Sequence, residues 1–334
     1  MSHSDKLSPT EAPLLDGGIA VACVILGLSF LVGAPGNLLV IWTILRHVKQ
    51  RSHTVVLILH LAAADLLVLI TLPVWIYSIL HTWVFGEALC KALMYTVKVC
   101  MFSSIFFITL MSLERYVAIC HPFMMMRWKT RNIMNRCLVF LWLLALLFGV
   151  PSLLTLEESD GTEQCFSKVL GSVTHAIVFL CLETLGGFVV PFIILSICYC
   201  LVAAQLKKMN FNSKQKSMVL VHTVVIAFTL CWLPYHIINI IDLVCILQPG
   251  REHECVPKSI VFSSGALVFI SSSVNPVLYT FFARNLRGSL EESQLVRLFK
   301  EMATHTNTLR ELVVQHHTGQ RAASTQAELM SDSL

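Results

Sequence analysis

Asn275-Pro276-Val277-Leu278-Tyr279 puts a proline and two polar side chains near the end of a long apolar segment. Proline removes a backbone N–H and kinks a helix, and a polar group inside a membrane is costly enough to signal function. A simple anchor has no use for such a pentapeptide. The segment that carries it runs from about 259 to 282. Six more of the same character precede it, near 19–45, 55–80, 91–113, 136–156, 174–203 and 219–247. Each is long enough to cross about 30 Å of hydrocarbon at roughly 1.5 Å per helical residue. Of 334 residues, 56% are apolar and 13% charged, against about 25% charged in soluble domains. The chain therefore reads as an all-α membrane protein, a seven-transmembrane helix bundle.

Lys and Arg in short loops set the orientation. Arg46, Lys49 and Arg51, then Arg127, Lys129, Arg131 and Arg136, then Lys207, Lys208, Lys214 and Lys216 mark one side, which is expected to be cytoplasmic. The opposite loops carry Glu87, Glu157, Glu158, Asp160, Glu163, Glu252 and Glu254, so the N-terminus is expected outside. The polar leader with Pro9 and Pro13 lacks a basic n-region, and the first span reads as a retained helix rather than a signal peptide. The net charge of +4 comes from the basic inner rim. Such a rim suits anionic headgroups and an acidic or helical cytoplasmic partner better than nucleic acid.

These boundaries divide the chain into an extracellular N-terminus (1–18), the bundle (19–282), a short amphipathic interfacial helix (283–299) and a cytoplasmic tail (300–334). The interfacial helix is expected because Phe281, Phe282, Leu286 and Leu290 alternate with Arg284 and Arg287 at helical spacing. From Leu295 to Val314 a second cytoplasmic helix is one reading and partial disorder the other. Thr318, Ser324, Thr325, Ser331 and Ser333 near the end are kinase targets if exposed. Most of the twelve cysteines lie inside apolar spans, where a thiol acts as a small hydrophobe. Cys90, at the start of the third span, and Cys165, in the next outer loop, share the oxidising face and are expected to form a disulfide. Cys245 and Cys255 flank the last outer loop as a candidate second pair.

Several polar groups stand out within the spans. Asp65 lies deep in the second, where an unpaired charge costs about 2.5–3.5 kcal/mol on insertion scales. Asn37, Ser104, Ser271 and Asn275 are its expected partners. A carboxylate with hydroxyl and amide oxygens suits a hydrated sodium ion; a water-filled hydrogen-bonded cluster is the alternative. Glu114-Arg115-Tyr116 places a charged pair at the cytoplasmic end of the third span, where a snorkelling interfacial anchor is the plainer reading. Pro73, Pro191, Pro234 and Pro276 each remove an intrahelical hydrogen bond beside polar or aromatic residues, the pattern of a bundle that changes shape.

Gly36-Asn37, the Asp65 cluster, Trp83-Val84-Phe85-Gly86, Cys90, Glu114-Arg115-Tyr116, Trp142, Pro191, Tyr199, Trp232-Leu233-Pro234 and Asn275-Pro276-Val277-Leu278-Tyr279 occur in a specific order. In that order the chain resembles a rhodopsin-like, class A G-protein-coupled receptor along essentially its whole length. The resemblance implies a plasma-membrane receptor coupled to a heterotrimeric G protein, of the inhibitory type, with arrestin and receptor kinases acting on the Ser/Thr tail. It implies that Arg115 engages the G protein, supported by Tyr199 and Tyr279 turning inward. It further implies that Trp232 senses ligand, and that Pro191, Ile105 and Phe228 repack beneath it. Lys214 stands where some relatives carry an acid that locks the arginine, so that lock is absent.

Thr71-Leu72-Pro73 resembles the chemoattractant branch, and Ser271 through Tyr279, Trp232 through His236 and Glu183 resemble leukotriene B4 receptors within it. The implied ligand is leukotriene B4 or a related eicosanoid, with a chemoattractant peptide as the alternative. Candidate ligand contacts are Tyr95, Lys98, Met101, Phe102, Glu183, Trp232, Tyr235, His236 and Asn239. Lys98 either meets a lipid carboxylate or pairs internally with Glu183. His236 is either a contact or a satisfied core residue. The chain departs from those receptors in carrying Met94 and Phe102 where they tend to have histidine and tyrosine, and it has no Asn-x-Ser/Thr sequon.

Other classes fit less well. An opsin needs a Schiff-base lysine mid-way along the seventh span, and Lys258 lies at its outer end. Transporters show repeats and paired broken helices, which this sequence lacks. Catalysis needs a set of reactive groups, whereas Asp65 is alone near mid-membrane and Asp242 sits near an outer helix end. No catalytic residue is expected, and no cofactor beyond the candidate sodium ion.

Overall fold

The computed structural model describes residues 17–49, 52–81, 83–121, 123–124, 131–154, 165, 173–208, 216–247, 256–284, 295–296, 298–300 and 302. Seven helices are long and apolar enough to cross a membrane: Gly17–His47, His53–Leu80, Gly86–Cys120, Ile133–Leu153, Ile177–Gln205, Val225–Cys245 and Ser259–Tyr279. They are numbered one to seven below. The end bearing Cys90 is called outer and the end bearing Arg115 inner.

Helix three is the hub, with more of its central residues buried than any other span. Its inward side carries Ile105, Phe107, Ile108 and Met111, packed with Leu57, Ile58 and Leu61 of helix two and Leu195 of helix five. Helices one and four instead expose rows of Leu, Val and Phe, among them Val24, Leu28 and Leu31, and Val139, Phe140 and Leu143. In a membrane that surface meets lipid, which is as apolar as the core, so its exposure carries no hydrophobic penalty.

Small residues bring helix one close to helix seven. A Cβ at Gly33 would come within 2.7 Å of both Leu69 Cδ1 and Ser273 Cβ, and one at Gly36 within 2.7 Å of Pro276 Cβ. Gly33→Ala therefore pushes the backbone of helix seven away. It is expected to cost about 1–3 kcal/mol, read as a lower unfolding midpoint of the purified protein. Close approach also aligns Asn37, whose Nδ2 donates to Gly33 O at 2.9 Å and to Ser272 O at 3.0 Å.

One proline accompanies a break in its helix, and others lie within continuous helices. Helix two divides into His53–Leu69 and Leu72–Leu80, with Pro73 in the first turn of the second piece. Thr71 manages the break: its hydroxyl donates to Val68 O at 2.6 Å and accepts from Trp75 Nε1 at 3.1 Å. Pro234 and Pro276 lie inside helices six and seven. Helix one contains a further internal proline, Pro35, not among the four singled out from sequence. Helix five departs most from regularity. Before Pro191 the chain widens into a π-helix over Leu182–Val189, a form rare in proteins and concentrated at functional sites.

Cys90 and Cys165 form the expected disulfide, joining the outer end of helix three to the following outer loop. Cys245 is also disulfide-bonded; Cys255 lies outside the described residues. Gly86 opens helix three with φ +77°, a left-handed conformation in which glycine alone is unstrained, and its carbonyl accepts from Trp83 Nε1 at 2.8 Å. A helical run does follow helix seven. Most of the expected interfacial stretch lies outside the described residues, but Leu295, Val296, Leu298, Phe299 and Met302 are helical and buried. Leu295, Leu298, Phe299 and Met302 join the core cluster, with the Phe299 ring 5.9 Å from that of Tyr279.

Candidate functional site

Three polar layers cross the bundle. The outermost is built from helices three, five and six. Lys98 projects from helix three into apolar surroundings and pairs with Glu183 of the π-helix. The Tyr235 hydroxyl accepts from Lys98 Nζ at 3.2 Å and donates to Glu183 Oε1 at 2.7 Å. Lys98 also lies 5.4 Å from the Phe179 ring and 5.5 Å from the Tyr235 ring, within reach of cation–π attraction. Of the two readings of Lys98, the internal pair is therefore formed in this structure. The π-helix carries both Glu183 and two glycines whose lack of a Cβ admits aromatic rings. Phe148 packs against Gly186 and Phe102 against Gly187.

Other candidate contacts divide. Trp232, Tyr235 and His236 form one aromatic cluster, and Asn239 neighbours the Tyr235 hydroxyl. Phe102 packs edge-on to Phe148 and alongside Phe106. Tyr95 turns the other way, donating to Leu146 O of helix four at 3.2 Å. Met101 is half-buried between the outer and inner cores. Phe188, stacked on His236 with ring centroids 4.6 Å apart, was not singled out from sequence. Nothing in the sequence reports that a π-turn aims it inward.

The middle layer surrounds Asp65, which is 1% exposed. Ser104 Oγ donates to Oδ1 at 3.1 Å and Asn275 Nδ2 to Oδ2 at 2.8 Å. Here one expectation is corrected. Ser271 does not face Asp65: its hydroxyl donates to Val268 O at 2.7 Å and accepts from Trp232 Nε1 at 3.2 Å. Ser272 is the neighbouring serine that lies beside Asp65 instead. One residue is a rotation of about 100° on a helix, enough to exchange the two. The exchange links the layers, because Ser271 ties Trp232 to the helix segment that carries Ser272 and Asn275. Asp65, Ser104 and Ser272 still offer a carboxylate and two hydroxyl oxygens, a donor set that fits sodium. Asn275 presents its amide N–H to the carboxylate rather than its oxygen.

At the inner layer Arg115, 3% exposed, is held between helices two and three. Its Nη2 donates to Thr54 Oγ1 at 2.5 Å, and that hydroxyl donates to Glu114 Oε2 at 2.9 Å. Arg115 Nε lies 3.6 Å from the same carboxylate oxygen. Thr54 is the residue that sequence reasoning missed here. Arg115 also lines a cleft with Ser112, Leu195, Cys198, Tyr199 and Val225. Tyr199 sits at the mouth of that cleft, partly exposed, whereas Tyr279 is buried against Phe299. Tyr116 meets His121 at 3.0 Å and stays outside the network. Ile105 and Pro191 are buried. The side chain of Phe228, and Lys214 altogether, lie outside the described residues.

The family described as 7 transmembrane receptor (rhodopsin family) matches residues 36–279, from the glycine beside Asn37 to the last residue of the opening pentapeptide. The chain belongs to that family. It is similar to leukotriene B4 receptor 1 of Homo sapiens, 31% identical over 298 residues that cover 87% of this chain and 84% of the relative. It is also similar to leukotriene B4 receptor 2 of Homo sapiens, 34% identical over 291 residues, with 84% and 81% covered. Chemerin-like receptor 2 of Homo sapiens is 32% identical over 284 residues, with 82% and 79% covered. As a rhodopsin-family receptor of the chemoattractant branch, the protein is a multi-pass plasma-membrane receptor that takes a ligand and couples to a G protein. It is not an enzyme.

Proposed function

We propose that this receptor responds to leukotriene B4 or a related eicosanoid and signals through inhibitory heterotrimeric G proteins, with its N-terminus outside the cell. Similarity to leukotriene B4 receptors over more than four fifths of both chains carries the reading. A deep polar cluster of Lys98, Glu183, Tyr235, His236 and Asn239, walled by Phe102, Phe188 and Trp232, supports it. Basic loops at the Arg115 end support the orientation, and the Ser/Thr tail supports regulation by receptor kinases and arrestin.

Agonist binding acts by population shift, favouring the conformation it binds better. The Trp232 to Ser271 bond and the Asn275 bond to Asp65 support a connection from the ligand layer through helix seven to helix two. On activation Arg115 leaves Thr54 and Glu114 to meet the G protein, joined by Tyr199 and Tyr279. Sodium held by Asp65, Ser104 and Ser272 stabilises the resting arrangement. Raising sodium to about 0.15 M is then expected to lower agonist potency by about fivefold or more, and Asp65→Asn to abolish that dependence. Potassium at equal ionic strength is the control.

The experiment that tests the ligand is inhibition of cAMP accumulation by lipid mediators and by chemoattractant peptides, applied to cells expressing the receptor. Activation by leukotriene B4 at nanomolar to micromolar concentration is expected. If peptides activate and lipids do not, the similarity to chemerin-like receptor 2 becomes the better guide. The lipid assignment then falls while the receptor stands.

A further inference from the structure

Two free thiols meet where helix three approaches helix five at the inner end of the bundle. Cys120 is the last residue of helix three, and its thiol reaches across to Leu201 O of helix five at 3.9 Å. Cys198 lies three residues before Leu201, one turn away on the same face, and is 5% exposed. The two thiols are electrostatic neighbours. Val202 relates them further: it packs in one cluster with Ile119 and Cys120, and it lines the Arg115 cleft together with Cys198. Cys200, two residues on and about 200° around the helix, is instead exposed.

The cleft gives this pair contact with small molecules. Ser112, Arg115, Tyr199 and Val225 line it with Cys198, and it has room for about one water-sized molecule. A bulky alkylating agent does not fit there. A peroxide as small as hydrogen peroxide does, and it can both donate and accept hydrogen bonds. The Ser112 hydroxyl and the Arg115 guanidinium offer matching groups. Buried thiols react slowly, so the pair is suited to sustained peroxide and not to traces of it.

We propose that Cys120 and Cys198 are a peroxide-sensitive pair whose oxidation to a disulfide clamps helix three to helix five and holds the receptor inactive. In the first step hydrogen peroxide oxidises the Cys198 thiol to a sulfenic acid and is reduced to one water. In the second the Cys120 sulfur attacks the sulfenic sulfur. The S–S bond forms, the S–O bond breaks, and the hydroxyl leaves with the Cys120 proton as a second water. Two thiols thus lose two electrons and one peroxide gains them. Cytosolic thiols reverse the change by exchange. The clamp rests on the coupling reading above, in which Arg115 leaves Thr54 and Tyr199 turns inward. Cys198 adjoins Tyr199 and shares the cleft with Arg115, so a covalent bridge there restrains both.

The test treats full-length receptor in lipid nanodiscs with hydrogen peroxide, blocks remaining thiols by alkylation and maps the peptides by mass spectrometry. A linked Cys120–Cys198 peptide is expected in wild type and absent from Cys120→Ser and Cys198→Ser, with sulfenic acid accumulating at Cys198 in Cys120→Ser. Oxidised thiols without the linked peptide overturn the proposal. So do thiols left unmodified under conditions that oxidise an added cysteine peptide. A second readout needs no ligand. A bridge across the intervening chain is expected to raise the unfolding midpoint of treated wild type by about 3 °C or more, with no rise in Cys120→Ser. The third is nucleotide exchange on a purified inhibitory heterotrimer stimulated by leukotriene B4. Peroxide is expected to lower it by about fivefold or more in wild type and to leave it unchanged in Cys120→Ser; equal loss in both overturns the clamp. If leukotriene B4 leaves untreated wild type silent, the lipid reading fails separately, and the linked peptide and the midpoint decide the thiol pair.

Discussion

Lys98→Met is expected to lower the stability of the receptor by about 3–5 kcal/mol, and Glu183→Met by a similar amount, while the double substitution recovers most of the loss. The two side chains are 11% and 5% exposed, and they are joined to each other and through the Tyr235 hydroxyl. Removing one leaves the other as an uncompensated charge in a low-dielectric core. Removing both replaces a desolvated pair with apolar volume, a change often neutral or favourable. Thermal unfolding of the purified, ligand-free proteins measures it. If each single variant is as stable as the double, the two charges do not depend on one another and the described pairing is wrong. The same cycle bears on the ligand. If Lys98 is the counter-ion of a lipid carboxylate, the double variant loses binding; if the pair shapes the pocket floor, it keeps much of it.

Arg115→Ala is expected to reduce agonist-stimulated nucleotide exchange by about 30-fold or more, the loss of a buried arginine anchor at an interface. Binding of agonist to the receptor alone should change little. Unchanged exchange would remove Arg115 from the coupling mechanism. Thr54→Ala should act in the opposite direction. The Thr54 hydroxyl both accepts from Arg115 and donates to Glu114, so its loss frees the arginine from helix two. Basal exchange then rises about fivefold, the worth of roughly 1 kcal/mol in a two-state equilibrium. Basal exchange equal to wild type would show that Thr54 does not restrain Arg115.

Charges inside apolar spans are conspicuous, and the sequence identified Asp65 and the Glu114-Arg115 pair on that ground, while Lys98 and Glu183 were singled out with the help of the family resemblance. It also identified the Cys90 to Cys165 disulfide from topology and compartment. Partners were harder to assign when two candidates were adjacent. Ser271 was expected at Asp65, but the helix turns it to Trp232 and gives Asp65 to Ser272. Tyr95 was expected in the pocket, yet it faces helix four. Thr54 drew no notice, since a threonine at a helix start is commonplace until its neighbours on another helix are known. Phe299 lies twenty residues beyond Tyr279, too far along the chain for periodicity to relate them.

Hydropathy, loop charge and the order of prolines and polar residues are sums over local sequence. The chain alone therefore determined the membrane class, the seven spans and the receptor family. Tertiary structure decided which atoms meet. That depends on how far each helix is rotated about its axis, a quantity set by packing against the others and shifted within helix five by the Leu182–Val189 π-helix. A rotation of one residue leaves hydropathy unchanged and replaces every hydrogen-bond partner on that face. For this reason the pairing of Lys98, the exchange of Ser271 for Ser272 and the approach of Cys120 to helix five emerge only from the folded bundle.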